Sequence, residues 1–303
     1  MLKILIWVAS VDNRFLNDAL KILERQHNGV EVVGVTSALP IVLNNERSEF
    51  LQRFSHEEVA SDLRNEYDIL LVVGAKELGM SKIISLARQL RLPEEKLLGD
   101  RIVCIPGFTL DKYRRLQRSR LSIVSMNCFG GFLSHTLGLP FRSPFVNMFL
   151  DEKNFLRLLQ NFQALMEKNL LLKETKWQTD LKFYYPVVTL GNVVINMNHY
   201  RDFNEAVAKW NERKTRINRY NLFVTMYTAD EKILRAFDEL PYGKKVCFVP
   251  FKSDVDSAWQ INSESQRGIE LWGFINAFAQ GKQFFYDPFD MLLYGKKTPL
   301  IEM

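Results

Sequence analysis

The chain opens on an unbroken apolar run, residues 2–9, and then alternates short apolar runs with stretches of helical spacing. A continuous apolar run suits a strand buried on both faces, the usual state of strands in parallel sheets. Residues 15–26 place Phe15, Leu16, Leu20 and Leu23 on one helical face. A second strand is predicted at 30–36. A helix follows from Ser55, with Val59 and Leu63 on one side. Further signals are a strand at 67–73, a helix from Ser81 to about 90, and a short strand at 101–105 ended by Pro106 and Gly107. Strands alternating with helices imply parallel strands between helical layers.

The pattern restarts at 121–126 as a strand, followed by a short helix at 130–137 and a strand at 146–150. Asp151 is placed to cap a long amphipathic helix reaching about 172. Residues 183–188 and 193–197 flank Leu190-Gly191-Asn192 as a β-hairpin. Then come a helix at 203–218, a strand at 221–227, a helix at 230–240, a strand at 245–251, a polar loop at 252–270, and helices at 272–278 and 288–293. The expected fold is α/β: two Rossmann-like three-layer units with mostly parallel sheets, packed together. The first, 1–118, lacks a Gly-rich dinucleotide turn. The second, 119–303, holds the candidate chemistry.

Composition changes this picture little. Apolar residues make up 47% and charged residues 25% of 303 residues, an ordinary globular balance. Lys plus Arg less Asp plus Glu is 40 − 35 = +5. That excess is compatible with a phosphate-bearing small molecule or an anionic membrane surface. It contains no run of five basic residues, and nucleic acid is not an expected partner. The densest basic stretch, Lys112 to Arg120, reads as the solvated face of a helix. Cys104, Cys128 and Cys247 lie in or beside apolar runs without C-x-x-C spacing, which argues against a disulfide framework or a zinc site. Reduced, buried thiols and the absence of a leader at residues 1–10 fit a cytoplasmic protein. No apolar run is long enough for a transmembrane helix, so membrane contact is expected to be peripheral.

The turn after the first strand, Ser10 to Arg14, has none of the glycines of G-x-G-x-x-G. No NAD site is expected there and no cofactor is assigned. Asn127-Cys128-Phe129-Gly130-Gly131 is a strand end and a small-residue turn before a helix. Backbone N–H groups at such a turn, with a helix N-terminus behind them, suit an anion. Asn127, Gly130 and Gly131 are therefore ligand candidates. Cys128 reads as a small buried residue, with a nucleophilic thiol as the alternative.

Arg142 and Ser143 lie between Pro140 and Pro144, which stiffen their loop. Arg142 is a candidate for a bidentate phosphate contact, or else pairs with an internal carboxylate. His199 is the candidate general base, because it titrates near neutrality and stands at a strand-to-helix junction. His135 is second to it, and His27 and His56 read as surface positions. Trp210, Arg213 and Arg216 recur at intervals of three. They suit an aromatic platform beside two guanidinium groups, or a helix with an apolar inner and basic outer face. Asp254-Val255-Asp256 has metal-binding spacing without a strand before it, and no metal is expected. Metalloprotease, P-loop and nucleophile-elbow motifs are absent.

Asn127 to Gly131, Leu137 to Pro144, Asn147-Met148-Phe149, His199-Tyr200, the run Trp210 to Asn218 and the segment Asn221 to Lys245 together resemble a bacterial family filed as a domain of unknown function. Its members are often labelled exopolysaccharide or capsular polysaccharide biosynthesis proteins. The resemblance covers roughly residues 120–250. It implies an enzyme of cell-surface glycan synthesis, with group transfer involving a nucleotide- or phosphate-activated sugar or a glycan. The alternative is a non-catalytic glycan- or nucleotide-sugar-binding accessory protein. Residues 1–118 resemble the Rossmann-like units that precede many transferases of sugar loci, without their Gly-rich turn. The implied partners are a sugar or phosphate-bearing small molecule and peripheral membrane glycan machinery.

Overall fold

The computed structural model describes residues 1–9, 16, 18–21, 23, 30–37, 51–74, 80–103, 105–179, 182–261 and 271–300. The chain divides into two compact units, Met1–Leu110 and Asp111–Met303.

In the first unit, strands β1 (Leu2–Val8), β2 (Val30–Ser37), β3 (Arg53–Phe54), β4 (Ile69–Val73) and β5 (Leu97–Gly99) form one sheet in the order β3-β2-β1-β4-β5. All neighbours are parallel. This is the Rossmann order through its fifth strand. The central β1 buries Ile4 to Trp7 completely, as its unbroken apolar run requires. Ser55 and Glu58 form a reciprocal capping box that starts the helix His56–Ala60. Val59 of this helix and Ile83 and Ala87 of the helix Met80–Gln89 pack with Leu5, Trp7 and Val72.

The strand expected at 101–105 is instead the short helix Asp100–Val103, and the sheet gains β5. The Asp100 carboxylate accepts the N–H of Arg101 at 2.9 Å and that of Gly74 at 3.4 Å, turning the chain out of the sheet. Of the helical stretch expected at 15–26, the described Leu16, Ala19, Leu20 and Leu23 are helical and buried.

The second unit holds β6 (Ser122–Ser125), β10 (Leu222–Tyr227), β11 (Lys245–Val249) and β12 (Ala258–Gln260) as a parallel sheet in the order β12-β11-β10-β6. On one face Val124, Val224 and Cys247 pack with Leu158, Phe162, Trp210 and Phe237, from four different helices. On the other, Phe248 meets Phe129 at 5.5 Å and Phe278 at 6.0 Å between ring centroids. These belong to the helices Phe129–Thr136 and Leu271–Ala279. The sheet is thus the middle of three layers. Strands β7 (Leu170–Gln178), β8 (Phe183–Leu190) and β9 (Val193–Asn196) form a separate antiparallel sheet. Gly191 at φ +61° makes the expected β8–β9 turn.

Three expectations for this unit are corrected. The helix from Asp151 breaks at Asn161, resumes as Phe162–Met166 and gives way to β7, whose residues are almost all exposed. Without a buried face, β7 carries no period-two signal to distinguish it. Residues 146–150 are not a strand, because Asn147 takes φ +62° and only Phe149 bridges to Asn196. Within the expected loop at 252–270, β12 adds an edge strand.

The helix Leu110–Arg118 falls almost wholly in the second unit, which moves the boundary expected at 118. Tyr113 sets its ring edge on Phe289 at 6.4 Å. Lys112 holds Asp287 at 2.8 Å and Asp290 at 2.7 Å, so this lysine is not on a solvated face. Among the described residues no helix is long and apolar enough to cross a membrane.

Candidate functional site

The segment after β6 is closed by its own polar groups. Ser125 Oγ donates to the Asn127 carbonyl at 2.7 Å and accepts the Gly130 N–H at 3.0 Å. Asn127 Oδ1 accepts the Phe129 N–H at 3.0 Å. The residues Gly130-Gly131 are not an open turn but the first turn of the helix Phe129–Thr136. A Cβ on Gly130 would stand 2.8 Å from Ile123 and 2.9 Å from Ser125 Oγ, and one on Gly131 would stand 3.0 Å from Val146. Their small size lets the helix lie against β6 and the following loop. The space between Gly130 and the Arg142–Ser143 loop is about 10 Å³, room for one water at most. The anion cradle expected of these glycines is therefore replaced by helix–strand packing.

Cys128 is buried and its thiol approaches the Met148 carbonyl at 3.8 Å. Burial pushes the thiol up to about 11, so it stays protonated at neutral pH. Ser143 is also buried, its Oγ accepting the Phe145 N–H at 3.2 Å. It shapes the loop rather than facing a ligand.

A second group of residues gathers from three elements. Asp202 caps the helix Phe203–Lys214, which brings Arg213 over the Phe141 ring at 5.7 Å. Arg213 Nη1 donates to Tyr200 Oη at 2.7 Å, and Tyr200 Oη donates to the Val146 carbonyl at 2.8 Å. Burial raises the Tyr200 phenol, and the Arg213 charge opposes it. The phenol therefore remains a neutral anchor at neutral pH.

Arg142, next to Phe141 in the chain, is half-buried and makes no hydrogen bond or ion pair among the described residues. Arg213 likewise meets no carboxylate there. Arg213 thus lies over an aromatic ring with no carboxylate partner among the described residues, and Arg142 follows that ring in the chain.

His199 directly precedes Tyr200, with part of its ring open to solvent and the rest against the protein, and makes no side-chain hydrogen bond among the described residues. Partial burial holds its imidazole below the usual value, which leaves it neutral and able to accept a proton at pH 7. The neighbouring Asn198 has a buried Oδ1 without a partner.

The other expected residues are not in this group. Trp210 is 1% exposed, its ring meeting Phe145 edge-on at 5.3 Å, so it offers no face to a ligand. Arg216 lies beyond the helix end, pairs with Glu212, and borders a different groove with Arg120 and Tyr220. The spacing that suggested one Trp–Arg–Arg platform therefore divides three ways. His135 is exposed on the last turn of its helix. His56 is not a plain surface residue: its ring meets Trp7 at 6.1 Å and its Nε2 is buried without a partner.

Asp254 is exposed and pairs with Arg235 at 3.6 Å. No group of three or more His, Cys, Asp or Glu among the described residues suits a metal ion. Cys104, His27 and the Ser10–Arg14 turn lie outside the described residues.

Sequence reasoning did not single out Phe141 or Tyr200 as part of a site. Their signal was adjacency to Arg142 and His199. It also passed over Lys244, whose only mark is its place in Pro241-Tyr242-Gly243-Lys244-Lys245.

An uncharacterised protein of Haemophilus influenzae is 35% identical over 184 residues, covering 58% of this chain and 84% of that protein. Among solved structures, a dehydrogenase (MviM) from Clostridium difficile aligns at 15% identity and a TM-score of 0.22, over 63% of this chain and 68% of its own. An NAD-binding protein from Listeria innocua aligns at 15% identity and a TM-score of 0.19, over 63% of this chain and 64% of its own. Residues 101–294, well over half of the chain, match the family described as Domain of unknown function (DUF1919), and the chain belongs to that family.

Proposed function

We propose that this protein acts in cell-surface glycan assembly, binding a nucleotide- or phosphate-activated sugar or glycan at the corner of Phe141, Arg142, Tyr200 and Arg213. The observation that carries this reading is two half-buried arginines, Arg213 over the Phe141 ring and Arg142 next to Phe141 in the chain, neither with a carboxylate partner among the described residues. Arg213 is fixed by Tyr200 Oη at 2.7 Å and by the Phe141 ring. A phosphate would complete their electrostatics, and a planar guanidinium grips two of its oxygens at once. The context of exopolysaccharide or capsular polysaccharide synthesis comes from the family resemblance. The work is assigned to the cytoplasmic side of membrane-associated glycan machinery.

The reaction assigned to the site is group transfer, with His199 as base. Its depressed imidazole is neutral at pH 7 and accepts the acceptor's proton as the new bond forms, while the phosphate departs with the bond pair. A second reading, a non-catalytic nucleotide-sugar-binding accessory protein, is supported by the protonated Cys128 thiol and by a His199 that no carboxylate orients among the described residues.

Thermal-shift screening with UDP-, GDP- and CMP-sugars tests both readings. The transfer reading expects stabilisation by one of them, product formation on adding a glycan acceptor, and loss of that product in His199→Ala. Stabilisation without turnover favours the accessory reading. No response to any nucleotide sugar contradicts both.

A further inference from the structure

We propose that a groove at the amino end of the second unit's parallel sheet binds an anionic saccharide, with its charged group on Lys244 and a sugar ring on Tyr220. This end is opposite to the one where strand–helix turns build ligand sites in parallel sheets. The groove has a volume of about 360 Å³ and is bordered by Arg219, Tyr220, Tyr242, Gly243 and Lys244, at the starts of β10 and β11. A second lobe of about 320 Å³ shares Arg219 and Tyr220 and adds Arg120 and Arg216. Each lobe falls within the size of small-molecule sites, roughly 300–1,000 Å³. Together they suit a ligand longer than one ring.

Four cations border the two lobes, and they are not equivalent. Arg219 pairs with Glu167 and Arg216 with Glu212. Lys244 has no carboxylate partner among the described residues. Its Nζ donates to Asn221 Oδ1 at 2.5 Å, and Asn221 Nδ2 donates in turn to the Ser119 carbonyl at 2.7 Å. The ammonium is thereby fixed at the groove wall by a neutral group. Partial burial also lowers its affinity for a proton, a cost that an arriving anion reverses.

Tyr220 stands at the junction of the two lobes with its side chain wholly exposed. Its N–H is held by Asn218 Oδ1 at 3.2 Å, so the backbone beneath the ring is anchored. A fully exposed aromatic ring contributes nothing to the core and offers an apolar face with a polar tip. Beside Gly243 the groove is open: a Cβ there would meet nothing within 4 Å. With two of the four cations already neutralised, the charge density suits one or two anionic groups rather than a nucleic-acid backbone. This groove shares no residue with the Arg213 corner and does not depend on the reading proposed for it.

The test is calorimetric titration of the full chain with trigalacturonate, glucose 6-phosphate and inorganic phosphate. A saccharide probe is expected to bind more tightly than inorganic phosphate. Trigalacturonate as the tighter probe identifies a carboxylate ligand, and glucose 6-phosphate identifies a phosphate ligand. Lys244→Met should weaken the tighter probe at least about tenfold. Tyr220→Ala should weaken the saccharide while sparing inorganic phosphate. Gly243→Leu should block the groove with an unchanged unfolding temperature, and Arg213→Met should leave this binding intact. The proposal is overturned if neither saccharide binds, if Lys244→Met and Gly243→Leu leave affinity unchanged, if Arg213→Met abolishes it, or if a short oligothymidylate binds more tightly than either saccharide.

Discussion

Two regions of the second unit present small and polar residues beside the same sheet, yet the chain treats them differently. From Ser125 to Gly131, hydroxyl, amide and backbone groups bond to one another, and the glycines are filled against Ile123 and Val146. Between Phe141 and Arg213, one cation lies on an aromatic ring and a phenol with a second next to that ring in the chain, and no carboxylate among the described residues joins them. The first region resembles a ligand cradle in sequence and is packing in space. The second is scattered over three elements in sequence and is assembled by the fold. Small residues at a strand-to-helix turn therefore say less about ligands than cations left without an anion.

The largest effect belongs to a residue that the fold moved from candidate site to core. Trp210→Ala should cost about 3–5 kcal/mol, the range for emptying a large aromatic site. Urea unfolding checks this, and a change below about 1 kcal/mol would mean that Trp210 is not packed as described.

Next comes the packed glycine. Gly130→Val places atoms where even a Cβ lies 2.8 Å from Ile123, and should cost about 1–3 kcal/mol. A stable Gly130→Val protein that had lost nucleotide-sugar binding would restore the cradle reading. Smaller still is the expected stability change in Arg213→Met, within about 1.5 kcal/mol, because Tyr200 keeps its bond to the Val146 carbonyl.

The smallest effect concerns the first unit. His56 is held below its usual value of 6.5 by burial, so its neutral form is favoured in the fold. It contributes stability that is present above 6.5 and lost as pH falls through the lower folded value. His56→Phe should flatten that acid limb of the stability curve, and an unaltered limb would remove His56 as its source.

The parallel architecture was legible where apolar runs were continuous, as in residues 2–9, because a strand buried on both faces leaves no other pattern. It was illegible in β7, where exposure removes the hydrophobic alternation, and in residues 100–103, where an Asp100 contact with Gly74 decides for a helix. Within the candidate site, Arg142, His199 and Arg213 were named from residue type and position. Phe141 and Tyr200 were not, because their roles come from a contact between distant segments. Trp210 showed the converse: a helical spacing of three cannot say which side of the helix meets the sheet.

The central claim is that the Phe141–Arg142–Tyr200–Arg213 corner takes an activated sugar through its phosphate. The most direct measurement is the affinity of the best nucleotide sugar from the thermal-shift screen for the natural chain and for Arg213→Met, each compared with Lys244→Met. A loss of at least about tenfold is expected in Arg213→Met and no change in Lys244→Met. Equal affinity in the natural chain and Arg213→Met would contradict it.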